Sequence, residues 1–284
     1  MVKENVFYLS AAKNFGDAVN KTFWESISQK SIFADQNTSH YLTTGSIMCL
    51  AKNNSTVFGS GFISEGGDLG GGNWNSNQNT LHETPQKIIS VRGPRSRQKL
   101  LDFKIDCPEN YGDPLLLMPC VYNKNARINE DIVGVIPHFV DQSSQSFKDL
   151  LLSIKQNGMK YKLINIKCGD NYKYLIDEIN SCKYIVSSSL HGIIMGLVYN
   201  KKTVFLEFSK NVIGGAFKFY DFFESLDIDY TIKNTYNIEV LNNTIKLDRT
   251  KLLQLGNQMI HTCPIIDKKQ EVLETWRKFN LQTL

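Results

Sequence analysis

Short apolar runs alternate with amphipathic segments along most of this chain. In the second half, residues 132–137, 184–187 and 203–206 are apolar runs of strand length, and the segments between them repeat apolar residues at helical spacing. This strand–helix alternation predicts an α/β fold with a parallel, doubly wound sheet. The first half shows the same order, beginning with an apolar run at residues 6–9.

The length of 284 residues and a polar stretch at residues 122–127 favour two domains. We expect an N-terminal domain over residues 1–122 and a C-terminal domain over residues 128–262. Residues 263–284 are expected to form a terminal helix that packs across the domains.

Residues 65–84 form a segment rich in glycine and asparagine that has no periodicity. Such composition is typical of a flexible surface loop. The alternative is a mobile lid over a sugar site, in which Trp74 stacks on a pyranose ring.

Composition narrows the classes of function. The net charge of +4, from 32 basic and 28 acidic residues, suits a small anionic substrate better than nucleic acid, which calls for a concentrated basic stripe. The six cysteines have neither zinc-site nor redox-pair spacing, which favours free thiols in a reducing compartment. No apolar run has the length of a signal peptide or a membrane span. We therefore expect a cytoplasmic protein and leave a peripheral membrane contact open.

The most informative segment follows the strand predicted at residues 184–187, where a helix is expected to begin near His191. In a doubly wound sheet, ligands bind at the carboxyl ends of the strands, where helix N-termini present free N–H groups and partial positive charge. His191 is therefore a candidate for anion contact and general acid catalysis. The alternative is a structural histidine beside a capping serine cluster.

Arginines follow the strand predicted at residues 87–91. Arg92 comes directly after this strand, Arg95 lies three residues on, and Pro94 is placed to start a helix. Guanidinium groups bind carboxylate and phosphate in a bidentate manner. We expect Arg92 to point into the crevice and hold an anion; the alternative is a solvated basic helix start.

A polar loop from Asn14 to Asp17 lies between the first strand and the first helix. Gly16 permits close backbone approach. Asp17 is either the cap of the helix or a carboxylate that faces a sugar as hydrogen-bond acceptor or general base.

Three further positions are less specific. Gly61 lies in a tight turn that lets a ligand approach, and Asp113 lies in a turn in which a structural role is expected. Lys218 follows Gly214-Gly215 ahead of a helix, which predicts either a plain turn or a phosphate site. The sequence has no cluster with metal-ligand spacing, so we expect no metal.

Taken in order, these segments resemble those of the polysaccharide pyruvyl transferase family, from about residue 14 to residue 221. The resemblance is carried by NFGD at 14–17, GSGF at 59–62, VRGPR at 91–95, GDP at 112–114, SSSLHGII at 187–194 and EFS at 207–209.

The resemblance implies two Rossmann-like domains that face a cleft, as in GT-B glycosyltransferases. It places the arginine of the family on Arg92 or Arg95 and its Leu-His pair on Leu190 and His191. Many members have arginine directly before that pair, where this chain has Ser189. The resemblance therefore implies one donor fewer for the phosphate.

The implied reaction transfers a pyruvyl group from phosphoenolpyruvate to sugar hydroxyls on a glycan, lipid or nucleotide carrier, without a cofactor. His191 and Asp17 would be catalytic. The substrate would be bound by a larger set: Arg92, Arg95, Ser189, Leu190, Asn14, Gly61 and Lys218. Two alternatives stay open, a GT-B nucleotide-sugar glycosyltransferase and a non-catalytic carbohydrate-binding protein.

Overall fold

The protein was studied as a computed structural model. The part of the chain that it describes comprises residues 2–9, 13–66, 81–124 and 129–282. Most of the glycine-rich segment, Trp74 included, and linker residues 125–128 lie outside the described residues. The lid and the linker therefore stay predictions.

In the described N-terminal half, five strands form one parallel sheet in the order β2-β1-β3-β4-β5. Parallel neighbours need crossover connections, and two helices supply the one between the first two strands of the chain. The strands are β1 (Lys3–Phe7), β2 (Ser31–Phe33), β3 (His40–Leu42), β4 (Ser55–Phe58) and β5 (Lys87–Ser90). The helices are α1 (Phe15–Ala18), α2 (Asn20–Ser28) and α3 (Pro94–Asp102).

In the described C-terminal half, four strands form a second parallel sheet in the order β7-β6-β8-β9. The strands are β6 (Asn129–Ile136), β7 (Lys160–Leu163), β8 (Cys182–Ser187) and β9 (Lys202–Phe205). The helices that connect them are α4 (Gln145–Gln156), α5 (Tyr172–Asn180) and α6 (Leu190–Val198). The expected α/β class with parallel sheets is confirmed.

Three later helices tie the halves together: α7 (Phe217–Glu224), α8 (Arg249–Thr262) and α9 (Lys269–Gln282). Helix α7 packs against α3, while α8 and α9 pack on each other and on the apolar 3₁₀ helix Pro114–Cys120. Near the C-terminus, Asp267 accepts a hydrogen bond from the almost buried Lys30 ammonium at 3.0 Å.

One hydrophobic cluster spans the two sheets. A single cluster of buried side chains contains Trp24 and Phe58 from the first half, Ile185 and Ile193 from the second, and Trp276 from α9. Apolar contact across the halves holds the strand ends of both sheets in a defined relative position, because close-packed interiors resist sliding. The proposed domain boundaries stay predictions.

Candidate active site

The strand order reverses at one point in each sheet, between β1 and β3 and between β6 and β8. Ligands of doubly wound sheets bind at such switch points, in the crevice outside the strand ends. Loops that follow all four of these strands line a single cavity of about 510 Å³. The two switch points therefore share one cavity.

The cavity brings together many of the residues singled out from the sequence. Those that line it are Asn14, Asp17, Ser189, Leu190, His191 and Lys218. They come from segments up to about two hundred residues apart. They meet because the strands of both sheets end at this cavity. The described residues that line the cavity do not include Arg92, Arg95 or Gly61.

His191 is buried in the first turn of α6, between two groups of the N-terminal half. Its Nε2 lies 3.5 Å from Oδ2 of Asp113, which is also fully buried. A Cβ atom on Gly16 would lie 1.8 Å from Nδ1 of the same ring. The imidazole thus fills the space that glycine leaves at position 16.

Asp17 and Asn14 form another part of the cavity wall. The Asn14 side-chain amide donates a hydrogen bond to Oδ2 of Asp17 at 3.2 Å. The amide oxygen of Asn14 is buried and has no hydrogen-bond partner among the described residues. The pair can therefore offer carboxylate and amide oxygens to a hydroxyl group.

Three lysines give the cavity its positive charge: Lys13, Lys167 and Lys218. Lys13 and Lys167 lie on loops joined by backbone hydrogen bonds, one of them from Gly169 N–H to the carbonyl of Lys13 at 3.0 Å. Burial, and then the charge of Arg92, lower the pKa of Lys218 to about 8. Lys218 therefore remains mostly charged at neutral pH.

His138 lines the cavity as a neutral group. Burial lowers the pKa of His138 to about 3, and the charges of Lys218 and Lys167 act in the same direction. Its Nδ1 accepts a hydrogen bond from Val140 N–H at 3.4 Å, which leaves the proton on Nε2.

A buried carboxylate fixes the loops behind His138. Asp141 accepts hydrogen bonds from the hydroxyls of Ser188, at 2.6 Å, and Ser209. The Ser188 hydroxyl in turn accepts from His138 N–H at 2.8 Å. Burial raises the pKa of Asp141 despite these hydrogen bonds. Loops that follow β6, β8 and β9 are thereby joined at one point.

Arg92 lies behind the cavity wall and is fully buried. Its Nε donates to Asp221 at 2.9 Å, Nη1 donates to the Ser46 hydroxyl at 2.6 Å, and Nη2 donates to the carbonyl of Phe62 at 2.5 Å. Of these partners, Ser46 lines the cavity. In this conformation Arg92 reaches the cavity through Ser46, rather than pointing into it as expected from its place after a strand.

The other two predicted residues also lie elsewhere. Arg95 donates to Glu224 at 2.7 and 2.8 Å, and lines a second, more open pocket of about 430 Å³. Gly61 makes room for Arg92, because a Cβ atom there would lie 2.7 Å from the guanidinium carbon.

Sequence reasoning missed His138, which follows the run at residues 132–137, and Lys167, which follows β7. Both could have been found, because ligands bind at the carboxyl ends of strands. It also missed Lys13, next to Asn14, and treated Asp113 as part of a turn. No local signal marks Asp113 as a neighbour of His191.

Comparison with known proteins identifies the family of this chain. The sequence model described as "Polysaccharide pyruvyl transferase" matches residues 47–209, more than half of the chain. This chain belongs to the polysaccharide pyruvyl transferase family. The matched segment contains Asp113 and His191, whereas Asp17 and Lys218 lie outside it. Membership indicates a transferase that acts on polysaccharide.

One curated relative covers nearly the whole chain. The uncharacterized protein L143 of Acanthamoeba polyphaga mimivirus is 27% identical over 277 residues, which are 94% of this chain and 89% of the viral protein. Its name states no activity, so the functional information comes from the family match.

Two features are absent from the described residues. No group of three or more His, Cys, Asp or Glu side chains has an arrangement suited to a metal ion. Within the same residues, no helix combines the length and the apolar character needed to cross a membrane.

Proposed function

We propose that this family member transfers the pyruvyl group of phosphoenolpyruvate to two hydroxyls of a sugar, forming a pyruvate ketal and releasing phosphate. The sugar belongs to a glycan or to a glycan precursor on a lipid or nucleotide carrier. One observation carries the proposal: the shared cavity combines His191 and Asp17 with three lysines.

The charge of the cavity suits the donor. Phosphoenolpyruvate carries a phosphate and a carboxylate, and Lys13, Lys167 and Lys218 supply matching cations. The N-terminus of α6 adds partial positive charge beside Ser189. The donor is much smaller than the drug-sized ligands that fill cavities of this volume, which leaves space for a sugar ring.

His191 and Asp17 divide the proton transfers. As one sugar hydroxyl adds to C2 of the donor, Asp17 takes its proton and His191 gives a proton to the methylene carbon, which becomes a methyl group. The second hydroxyl then attacks C2, the bond to the phosphate oxygen breaks, and the hydroxyl proton leaves with phosphate. Return of the proton from Asp17 to His191 through water restores the starting protonation of both groups. General acid–base assistance of this kind contributes roughly two to four orders of magnitude in rate.

Arg92 acts in this proposal through Ser46, and Arg95 and Gly61 contribute from outside the cavity. Two Rossmann-like domains in a GT-B-like arrangement, a cytoplasmic location and a reaction without a metal or other cofactor belong to the same proposal.

The test is to incubate the protein with phosphoenolpyruvate and a panel of galactosyl, glucosyl and N-acetylmannosaminyl acceptors. We expect phosphate release that depends on the acceptor, with a matching gain in acceptor mass. His191→Ala should lose at least a hundred-fold in turnover and keep its fold by circular dichroism.

Release of nucleoside diphosphate from a nucleotide sugar, with no use of phosphoenolpyruvate, would replace this proposal with a glycosyltransferase. Sugar binding without any turnover would replace it with a carbohydrate-binding protein.

A further inference from the structure

Asp113 and His191 present two buried polar atoms to each other across the two halves of the protein. Oδ2 of Asp113 and Nε2 of His191 are 3.5 Å apart, and neither has a hydrogen-bond partner among the described residues. A buried polar atom without a partner is costly, so each is the natural partner of the other.

The position of Asp113 is determined independently of His191. Its other oxygen, Oδ1, accepts a hydrogen bond from Leu115 N–H at 3.0 Å and caps the 3₁₀ helix Pro114–Cys120. Residues 114–119 of that helix are buried. The cap holds the carboxylate with Oδ2 directed at His191, in apolar surroundings that strengthen a charged contact.

The chemistry of the two groups decides where the proton lies. Two atoms that only accept hydrogen bonds would repel each other, so a proton must lie between them. In water an imidazole nitrogen holds a proton more tightly than a carboxylate does, which assigns the proton to Nε2. The other ring nitrogen, Nδ1, then remains for the substrate.

Gly16 lies against that second nitrogen. A Cβ atom at position 16 would lie 1.8 Å from Nδ1 and 2.0 Å from Cε1. Any side chain at this position would displace the ring, so glycine is needed for the ring to keep its place beside Asp113. His191 lines the cavity together with Asp17 and Asn14, and because its Nε2 faces Asp113, Nδ1 is the ring nitrogen left for a ligand in the cavity.

We propose that Asp113 is a positioning residue that holds His191 with its proton on Nε2, so that His191 exchanges protons with the substrate through Nδ1. The carboxylate also stabilises the imidazolium that forms when Nδ1 is protonated. The tautomer rests on the contact with Asp113 and on the basicity of the two groups, whereas the catalytic consequence rests on the function proposed above.

The test reads the tautomer without any substrate. In the full-length protein labelled with ¹⁵N at histidine, long-range ¹H–¹⁵N spectra recorded from neutral to alkaline pH report which nitrogen of each ring carries the proton. The His191 signals are assigned by their loss in His191→Gln. His40 is an internal reference for the opposite tautomer, because its Nδ1 lies 2.9 Å from the carbonyl of Thr38 and its Nε2 lies 2.8 Å from the Ser55 hydroxyl.

We expect His191 to be protonated at Nε2 in the wild type and at Nδ1 in Asp113→Asn. The asparagine can keep the cap on Leu115, but its amide group donates towards Nε2. A wild-type ring protonated at Nδ1, or an unchanged tautomer in folded Asp113→Asn, would overturn the proposal. If Asp113→Asn does not fold, the wild-type spectrum alone decides.

A kinetic measurement separates positioning from a structural role. Asp113→Asn should lower kcat by roughly two to four orders of magnitude and leave KM for phosphoenolpyruvate within about three-fold. The matched control is Asp248→Asn, which changes another capping aspartate that is exposed at the start of α8. An equal loss of kcat in both variants would contradict the proposal. If His191 is protonated at Nε2 but the protein never uses phosphoenolpyruvate, the tautomer assigned to the Asp113–His191 pair stands and the proposed function is refuted.

Discussion

Arg92 and Asp221 form a fully buried ion pair that joins the loop after β5 to helix α7. Nε of Arg92 lies 2.9 Å from Oδ2 of Asp221, whose carboxylate also accepts hydrogen bonds from the Ser96 hydroxyl at 2.7 Å and Ser96 N–H at 2.8 Å. The pair connects segments 129 residues apart in sequence. The pair thereby ties Arg92, which reaches the cavity through Ser46, to helix α7.

Removing one member of this pair should destabilise the protein strongly. Asp221→Asn leaves the Arg92 charge buried without a counter-ion, and such changes cost about 3–5 kcal/mol. The free energy of unfolding in urea measures the loss. The half-exposed pair Arg95–Glu224 is the matched control, because Glu224→Gln should cost at most about 1 kcal/mol. Equal losses at the two sites would contradict a buried pair at Arg92.

A methyl group at position 16 should inactivate the protein. In Gly16→Ala the new Cβ atom must displace the His191 ring, because the ideal position of that Cβ lies 1.8 Å from Nδ1 of the ring. Displacement of a catalytic group by about 1 Å can cost a hundred-fold in rate, so we expect at least that loss in kcat. Ser26→Ala, on the exposed side of the neighbouring α2, should retain full activity. Normal turnover by Gly16→Ala would remove His191 from the mechanism.

Binding of the donor should weaken at alkaline pH because of Lys218. Its pKa of about 8 means that the ammonium loses its proton, and its attraction for an anion, as the pH rises through that value. We therefore expect KM for phosphoenolpyruvate to rise above about pH 8, and to stay low in Lys218→Arg, since arginine remains charged. The KM profiles of the two proteins across neutral and alkaline pH test this. Identical profiles would exclude Lys218 as the titrating group.

Loss of the Asp141 carboxylate should loosen the loops behind His138. Asp141→Ala leaves the buried Ser188 hydroxyl and the half-buried Ser209 hydroxyl without their acceptor, and an unsatisfied buried group costs about 1–3 kcal/mol. Asp141→Asn keeps an acceptor oxygen and removes a buried charge, so it should cost less than Asp141→Ala. Urea unfolding of both variants measures the difference. A larger loss for asparagine than for alanine would show that the charge itself stabilises the loops.

Chelators should leave turnover unchanged. The lysines of the cavity provide the positive charge that a metal would otherwise supply to a phosphate. Dialysis against EDTA, followed by assays with and without added Mg²⁺, tests this expectation. A rate that falls on dialysis and returns with Mg²⁺ would show that a metal takes part.

The hydrophobic pattern predicted much of this fold because strands and helices report local preferences. The runs at residues 132–137 and 203–206 correspond to β6 and β9, whose ends differ from the predicted ones by up to three residues. The strand β2, only three residues long, was missed, because so short a segment has no measurable periodicity. Strand ends also indicated where His191 and Asp17 would lie, since carboxyl ends of parallel strands share one edge.

The partners of charged side chains could not be predicted in the same way. Arg92 follows a strand and was therefore expected to point into the crevice, but it forms an ion pair with Asp221, which lies far along the chain. Asp113 occupies a turn, and nothing in its neighbourhood in sequence indicates an imidazole from the other half of the protein.

The sequence by itself determined the alternation of strands and helices, the family and the residues that stand at strand ends, because each of these depends on neighbours along the chain. Only the tertiary structure decided which cations face the cavity, which support its wall and which carboxylate meets His191. Those outcomes depend on distances between segments that the folding of two sheets onto a common core brings together.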